Sequence, residues 1–314
     1  MKTIKILEPG PLTTVQDSGR SGQLRRAIPP SGPVDRRAFV IANRLVGNDA
    51  GAAALEITLL GPELEFEDER IVAVAGAEFE LTLDRKAVPM NAPFIVSAES
   101  HLRFGARGSG ARAYLAVAGG IAVPPTLGSR STHLISAMGG VDGRSLKAGD
   151  RLPLGDASRA RRSASALAQP LVPLPGHHAR LRVLPGPQRD YFSADALDVL
   201  QSARYLIGSH SDRMGFRLDG QRLTHARGAD IISDATPLGV LQVPASGQPI
   251  LLMADRQTTG GYPKIATVIS ADISVAGQLG PGDTIEFAIC EPREAMAALI
   301  AQERALMAIE SPEP

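Results

Sequence analysis

The hydrophobic pattern of this chain is mostly that of β-strands. Residues 63–67 and 79–83 alternate apolar and polar side chains, which is typical of a strand with one buried face. Residues 71–75, 114–118 and 250–254 are short apolar runs, compatible with strands buried on both faces. The 32 glycines and 24 prolines are scattered between such segments and indicate frequent turns. The pattern predicts a mainly β (α+β) chain of many short strands.

Three segments have helical periodicity instead. Asp35 is a suitable N-cap for a helix over residues 36–46, and Gly47 is a suitable stop. Ser193 is a candidate cap for residues 194–205, with Leu197 and Leu200 facing inward. Residues 294–309 form the clearest pattern. Its apolar side chains lie on one stripe, made of Met296, Leu299, Ile300, Leu306 and Met307.

A faint internal repeat indicates two similar halves. Each half opens with an apolar segment followed by Pro-Gly-Pro, at residues 9–11 and 185–187. Each half closes with a Gly-Asp turn before a strand-like segment, at residues 149–150 and 282–283. Turn chemistry alone can also produce such echoes. We predict units over residues 1–155 and 180–290, a linker over residues 156–179, and a C-terminal helix and tail over residues 291–314.

Composition narrows the class of protein. Lys plus Arg and Asp plus Glu both number 33, so the chain lacks the basic excess of a nucleic-acid binder. No apolar run approaches the ~20 residues that span a bilayer, and the N-terminal segment lacks the apolar stretch of a signal peptide. Cys290 is the single cysteine, which rules out an internal disulfide and a cysteine-based zinc site. We expect a cytoplasmic protein without a nucleic-acid or membrane partner.

The densest polar segment is residues 255–264, which follows an apolar strand. Gln257 offers a donor and an acceptor that match an amide or urea group, and Asp255 can accept from N–H groups. Arg256 and Lys264 can hold a carboxylate or phosphate. Two adjacent glycines allow close approach of a ligand to the backbone. An elaborate hairpin turn, with Asp255 and Arg256 paired on the surface, is the alternative interpretation.

Two further polar clusters are candidates for chemistry. Residues 13–20 and 29–35 place polar side chains just before the first helix, whose N-terminus is either an anion site or a plainly capped end. Ser209, His210 and Asp212 occur together, but adjacency in sequence does not produce the geometry of a catalytic triad. Arg213 can bind an anion or form a structural ion pair.

Several motifs are absent from the 314 residues. The chain has no phosphate-binding loop, no His-Glu-x-x-His metal motif and no Gly-x-Ser-x-Gly nucleophile turn. A Met-Lys-Met biotin attachment site is also absent. We therefore expect no metal and no covalently bound cofactor on this chain.

Five motifs together resemble the allophanate hydrolase subunit 2 family. They are residues 13–20 (TTVQDSGR), 29–35 (PPSGPVD), 118–131 with their Ala-Gly-Gly-Ile and Gly-Ser-Arg-Ser elements, 209–220 (SHSDRMGFRLDG) and 242–266 (QVPASGQPILLMADRQTTGGYPKIA). The resemblance runs from about residue 3 to about residue 290 in the family's order. It does not cover the C-terminal helix.

The resemblance implies two cyclophilin-like β-barrel units and work in a complex. As a separate bacterial chain, this family member is usually the C-type subunit of an ATP-dependent 5-oxoprolinase, which opens 5-oxo-L-proline to L-glutamate together with A-type and B-type subunits. One alternative is the carboxyltransferase part of a biotin-dependent urea or allophanate-type carboxylase. Another is a regulatory antagonist that binds a kinase-inhibiting partner of the allophanate hydrolase subunit 1 type. Fold-level likeness does not by itself fix the substrate.

The predicted site combines residues from both halves. Asp255, Gln257 and Lys264 are the predicted catalytic residues. The predicted substrate-binding residues are Thr258, Gly260, Gly261, Tyr262, Gln16, Asp17, Arg20, Ser31 and Arg213.

Overall fold

The computed structural model describes residues 2–159 and 174–310. The chain divides into two compact units. The first comprises the described residues of Met1–Arg20, Ser31–Leu174 and Glu303–Pro314, and the second comprises Ser21–Pro30 and Pro175–Gln302. Among the described residues, no helix combines the length and the apolar character needed to cross a membrane.

Two sheets build the first unit. Their strands are β1 (Thr3–Glu8), β2 (Thr13–Gln16), β3 (Ala54–Thr58), β4 (Glu63–Phe66), β5 (Arg70–Gly76), β6 (Phe79–Leu83), β7 (Lys86–Val88), β8 (Pro93–Val96), β9 (His101–Arg107), β10 (Arg112–Val117) and β11 (Arg151–Pro153). One sheet has six strands in the order β11-β1-β4-β9-β6-β7, and the other has five in the order β2-β3-β10-β5-β8. All pairings in these sheets are antiparallel.

The five-stranded sheet is buried on both faces, as its apolar runs predict. Leu115 and Val74 face a core that both sheets share, whereas Tyr114 and Ala75 face helix α1 (Arg36–Leu45). β4 and β6 of the other sheet alternate buried and less buried residues. The strand predictions from periodicity are therefore confirmed in this unit, and the prediction of a mainly β chain is confirmed for the described residues.

The second unit is a closed barrel of seven strands, in the order β12-β19-β16-β17-β14-β13-β20. A separate two-stranded ribbon pairs β15 with β18. The strands are β12 (His178–Pro185), β13 (Tyr205–Ile207), β14 (Gly215–Asp219), β15 (Asp234–Ala235), β16 (Val240–Gln242), β17 (Ile250–Leu252), β18 (Thr259–Gly260), β19 (Lys264–Val268) and β20 (Thr284–Ile289). Closure removes exposed edges, which suits such short strands.

Helices are few among the described residues. They are α1, α2 (Ala196–Ser202), α3 (Ser270–Ala276) and α4 (Pro292–Met307). The first prediction is confirmed: the Asp35 side chain accepts a hydrogen bond from the backbone N–H of Ala38 at 3.0 Å, and α1 ends just before Gly47. The α4 prediction is confirmed as a helix. α3 has no counterpart in the sequence prediction.

The second helix prediction needs correction at both ends. α2 begins at Ala196, not Ala194, and its N-cap position is Asp195, which makes no side-chain capping bond. Ser193 contacts the start of the helix through its backbone, because its carbonyl accepts a hydrogen bond from the Ala196 N–H. Tyr205 is fully buried in β13, where barrel packing requires an extended chain, so the helix stops at Ser202.

The internal repeat has a structural counterpart within each unit. In the first unit, the opening strand β1 pairs antiparallel with β11, which follows the Gly149-Asp150 turn. In the second unit, the opening strand β12 pairs in parallel with β20, which follows the Gly282-Asp283 turn. Each turn aspartate accepts from a backbone N–H three residues earlier at 2.8 Å. The same turn chemistry thus serves two different strand arrangements.

The predicted domain boundaries differ in places from the two compact units of the structure. Residues 160–173 of the predicted linker lie outside the described residues. β12 already begins at His178, two residues before the predicted start of the second unit. Residues 21–30 group with the second unit, and the described residues 303–310 group with the first. These assignments follow tertiary contacts, which chain order does not reveal.

Candidate functional site

The polar segment after β17 lies on the barrel of the second unit. It leaves β17 at Leu252, forms β18 against β15, and enters β19 at Lys264. Because its two ends are barrel strands, the loop is held by a rigid scaffold, as expected of a site.

Asp255 points into the protein interior. Its carboxylate accepts two hydrogen bonds from the Arg213 guanidinium, at 2.9 Å from Nε and 3.1 Å from Nη2. Both side chains are only 3% exposed. Removing either charge of such a pair destabilises the fold, because the other charge is then buried without a partner. Asp255 and Arg213 therefore fasten the loop to the start of β14.

Asp255 and Arg256 do not form the surface pair that was part of the alternative interpretation. The Arg256 Nε donates to the Thr236 carbonyl at 2.8 Å, and Asp255 has Arg213 as its partner. Burial lowers the pKa of Arg256, while the charge of Asp255 acts in the opposite direction.

Gln257 pairs with a residue that the sequence prediction did not select. Its Nε2 donates to the Oε1 of Gln242 at 2.9 Å. Gln242 is the last residue of β16 and is 1% exposed. Both glutamines line a cavity of about 610 Å³, together with Tyr262. The other lining residues are His210, Asp212, Met214, Gly215, Arg217, Leu218, Asp219, Pro244, Ser246, Gln248, Pro249, Ile250 and Leu252.

The two adjacent glycines of the loop have different structural roles. A Cβ added at Gly260 would lie 2.5 Å from the Gln242 Nε2, so a larger residue here would displace this amide. Gly261 instead uses its carbonyl, which accepts from the Ile231 N–H at 2.8 Å. The Thr258 carbonyl accepts from the Thr236 N–H at 3.1 Å. Tyr262 is 40% exposed at the cavity wall.

Lys264 is a buried cation with an exposed partner. The side chain is 2% exposed, and its Nζ donates to Asp234 Oδ2 at 2.8 Å. This hydrogen bond is the largest cause that lowers the pKa of Asp234. Lys264 is paired with Gln242 across β16 and β19, so the two side chains emerge on the same face of the sheet. The cavity lining includes neither Lys264 nor Asp255.

The adjacent Ser209, His210 and Asp212 do not form a catalytic triad. Asp212 Oδ1 accepts from the backbone N–H groups of Met214 at 2.8 Å and Gly215 at 3.3 Å. Asp212 thus stabilises its own turn, which agrees with the rejection of a triad on sequence grounds.

The predicted residues of the first half form a polar network within the first unit. Asp17 accepts hydrogen bonds from the hydroxyls of Ser129 at 2.5 Å and Ser131 at 2.7 Å, and from the Arg130 N–H. Burial raises the pKa of Asp17, but these hydrogen bonds and one from the Gly19 N–H outweigh it, so the pKa lies below its ordinary value.

Neighbouring side chains extend this network. Arg20 is 1% exposed and donates through Nε to the Thr126 carbonyl at 3.2 Å, and through Nη2 to the Ser131 carbonyl. Gln16 Nε2 donates to the Thr132 carbonyl at 3.1 Å, while its Oε1 accepts no hydrogen bond from a described residue. Ser31 has a positive φ of 56°, and its hydroxyl likewise has no described partner. The network ties residues 126–132 to residues 16–20.

The site prediction is thus distributed over two units. Gln257 and Tyr262 line the cavity in the second unit, and Gly260 lies beside the two glutamines. Asp255 and Arg213 form a buried pair that holds the same loop. Gln16, Asp17, Arg20 and Ser31 belong to the first unit. A single pocket that uses both sets stays a prediction. Sequence reasoning missed Gln242, although a polar residue that ends the apolar strand Val240–Gln242 was a usable signal.

Comparison with known proteins identifies relatives along the whole chain. A family model described as "Carboxyltransferase domain, subdomain A and B" matches residues 26–289. The chain is 44% identical over 301 residues to the C-type subunit of 5-oxoprolinase from Escherichia coli, covering 96% of each chain. It is 38% identical over 292 residues to the corresponding 5-oxoprolinase subunit of Haemophilus influenzae, covering 93% of each.

A solved structure agrees with these sequence relationships. The urea carboxylase of Kluyveromyces lactis superimposes with a TM-score of 0.90 at 34% identity. The match covers 99% of this chain but only 29% of that protein. Because the family model and the relatives span nearly all of the two units, this chain belongs to the carboxyltransferase domain family of subdomains A and B.

Proposed function

We propose that this chain is the C-type subunit of a 5-oxoprolinase, working in a complex that opens 5-oxo-L-proline to L-glutamate. One observation carries the proposal, the 44% identity to the C-type subunit of E. coli over 96% of both chains. Since the two sequences match over nearly all of their lengths, the likeness does not rest on a shared module alone. We expect the complex to operate in the cytoplasm.

In the proposed reaction, water adds to the lactam carbonyl and the ring C–N bond breaks. The oxygen of water stays on the carbonyl carbon as a carboxylate, and the ring nitrogen becomes the amine of glutamate. ATP hydrolysis accompanies the step. This sequence has no phosphate-binding loop motif, so we assign ATP handling to partner subunits of the A and B types.

We propose that the cavity beside Gln257 receives the amide substrate. Gln257 addresses the amide group from the cavity wall, beside Tyr262. The backbone of the same loop, around Thr258, Gly260 and Gly261, is proposed to assist it. Lys264 is proposed to neutralise a carboxylate of the substrate, exchanging its exposed partner Asp234. Asp255 and Arg213 hold the loop in place. Preorganised donors of this kind are each worth ~3 kcal/mol when charge develops on the oxygen.

The test uses the chain co-expressed with its A-type and B-type partners. Glutamate formation from 5-oxo-L-proline and ATP is expected from the complex but not from this chain alone. Gln257→Ala should lower kcat at least ~10-fold without loss of the complex. Gln221→Ala, at an exposed glutamine of the same unit, is the matched control. Turnover by the isolated chain would contradict the proposal, as would a complex inactive on 5-oxo-L-proline.

A second candidate is the carboxyltransferase component of a biotin-dependent urea or allophanate-type carboxylase. The superposition on the K. lactis urea carboxylase favours it. Under this function biotin would be carried by a partner, and a biotin carboxylase would be encoded beside this chain. Carboxylation of urea by the reconstituted complex, without glutamate formation from 5-oxo-L-proline, would establish it over the first candidate.

A further inference from the structure

The glutamine pair beside the cavity is incompletely hydrogen-bonded. Gln242 is 1% exposed, yet its Nε2 makes no hydrogen bond to a described residue. A buried amide nitrogen without an acceptor is costly, and a group of this kind in a cavity wall is available to a ligand that completes it. The Oε1 of Gln242 is already engaged by Gln257.

The two side-chain amides lie beside one glycine. An ideal Cβ at Gly260 would be 2.5 Å from Gln242 Nε2 and 3.3 Å from Gln257 Nε2, so both amides flank the same glycine. The hydrogen bond between the two side chains uses Gln257 Nε2, which leaves the Gln257 Oε1 available. Gln242 thus keeps a donor, and Gln257 an acceptor, without a hydrogen bond to a described residue, and both side chains line the same cavity.

We propose that the Gln242–Gln257 pair recognises the cis edge of an amide, with Gln242 as a substrate-contacting specificity residue. In a cis amide, the C=O and N–H point to the same side, so Gln242 can donate to the oxygen while Gln257 accepts from the nitrogen. A trans amide points them in opposite directions and satisfies only one group. The inference deepens the proposed function and rests on it, because a five-membered lactam such as 5-oxoproline enforces the cis edge.

The orientation of the two amides does not alter this argument. The oxygen and nitrogen of a glutamine side chain are assigned from the hydrogen-bond network. If both amides rotate by half a turn, Gln242 becomes the acceptor and Gln257 the donor. A cis amide then binds in the reverse sense and still satisfies both. Urea also offers such an edge, so the recognition would hold for the second candidate function.

The experiment measures binding of small amides to the full-length chain by ligand-observed NMR titration. The probes are 2-pyrrolidinone, which has the cis edge, N-methyl-2-pyrrolidinone, which lacks the N–H, and N-methylacetamide, which is trans. We expect 2-pyrrolidinone to bind at least about 10-fold more tightly than the other two, since each lacks one hydrogen bond. Gln242→Leu should remove this preference, and Gln221→Leu should keep it.

Each outcome bears on the inference. Equal affinity for 2-pyrrolidinone and its N-methyl derivative would overturn it, as would an unchanged preference in Gln242→Leu or no binding by the folded chain. The comparison of probes on the unmodified chain remains decisive if Gln242→Leu does not fold. Glutamate formation by the complex, without discrimination among the probes, would overturn the inference alone. Discrimination by the chain, with a complex inactive on 5-oxo-L-proline, would overturn the proposed function alone.

Discussion

The ion pair of Arg213 and Asp255 illustrates how burial changes the meaning of a charged residue. Residue type alone made Asp255 a candidate for binding a substrate N–H group. In the barrel its carboxylate is 3% exposed and accepts hydrogen bonds from the guanidinium of Arg213, 42 residues earlier in the chain. Asp255 therefore has a structural role, and any catalytic role would come in addition to it.

A stability measurement separates these roles. Asp255→Ala strands the buried Arg213 charge and should lower the free energy of unfolding by ~3–5 kcal/mol. Asp190→Ala breaks an exposed ion pair, in which the side chain of Arg227 is 63% exposed and that of Asp190 is 52% exposed. It should lower the free energy of unfolding by less than ~1 kcal/mol. Urea denaturation of both variants makes the comparison. An unchanged Asp255→Ala stability with lost activity in the complex would restore Asp255 as a catalytic residue.

Asp17 predicts a dependence of stability on pH. Its folded-state pKa lies below the ordinary value, because hydrogen bonds from Ser129, Arg130 and Ser131 favour the carboxylate. The stabilisation is therefore complete above the unfolded pKa of about 3.9 and is lost as pH falls toward the folded pKa. Urea denaturation in this acid range should give a shallower pH dependence for Asp17→Asn than for the unmodified chain.

Ser129→Ala provides a graded control for this prediction. It removes one of the hydrogen bonds to Asp17 and should reduce the pH dependence partially. Identical acid profiles for the unmodified chain and Asp17→Asn would show that the network does not favour the charged carboxylate.

Helix α4 illustrates at the level of an element what a periodic pattern leaves undecided. Leu306 is 1% exposed and lies in a core shared with Phe39 of α1. Met296 and Met307, from the same predicted stripe, are 58% and 61% exposed. Neighbouring residues of a helix point about 100° apart, since a turn contains 3.6 residues, so Leu306 and Met307 face different directions. Leu306, at one side of the stripe, is the member that is buried in the core.

Two adjacent substitutions test this packing. Leu306→Ala should lower the free energy of unfolding by ~2–5 kcal/mol, because it leaves a cavity in the core. Met307→Ala, at the exposed neighbour, should change it by less than ~0.5 kcal/mol. Thermal or urea denaturation distinguishes them. Similar losses for the two variants would mean that the whole stripe is buried in solution.

At the scale of the whole molecule, the proposed function predicts a stable complex. An obligate partner of the B type should cover part of this chain, and such interfaces commonly bury ~2,000 Å² or more. Co-expression followed by size-exclusion chromatography should give a single peak that contains both chains. Independent elution of the two chains at micromolar concentration would argue against an obligate complex.

Much of the fold was predictable because its signals are local. The alternation in β4 and β6, the apolar runs of β5 and β10, and the Asp35 cap of α1 all act between near neighbours in the chain. Turn residues and strand periodicity therefore determined the mainly β class and the positions of the elements with the clearest patterns. The same locality explains the error at α2, where burial of Tyr205 in the barrel overrides a helical pattern.

The candidate site was predictable only in its polar loop. Gln257, Gly260 and Tyr262 could be selected because they follow one another along the chain. The polar character of Gln242 at the end of a strand was visible in the sequence, but its place beside Gln257 was not, because that depends on the register of β16 against its neighbours.

Tertiary structure also decided which polar groups are buried together. Asp17 meets Ser129 across 112 residues, and Asp255 meets Arg213 across 42. Side-chain chemistry in the sequence states what each group can bind. The partner it finds depends on sheet register and chain closure, since a buried polar group pairs with whatever the fold brings within hydrogen-bond distance.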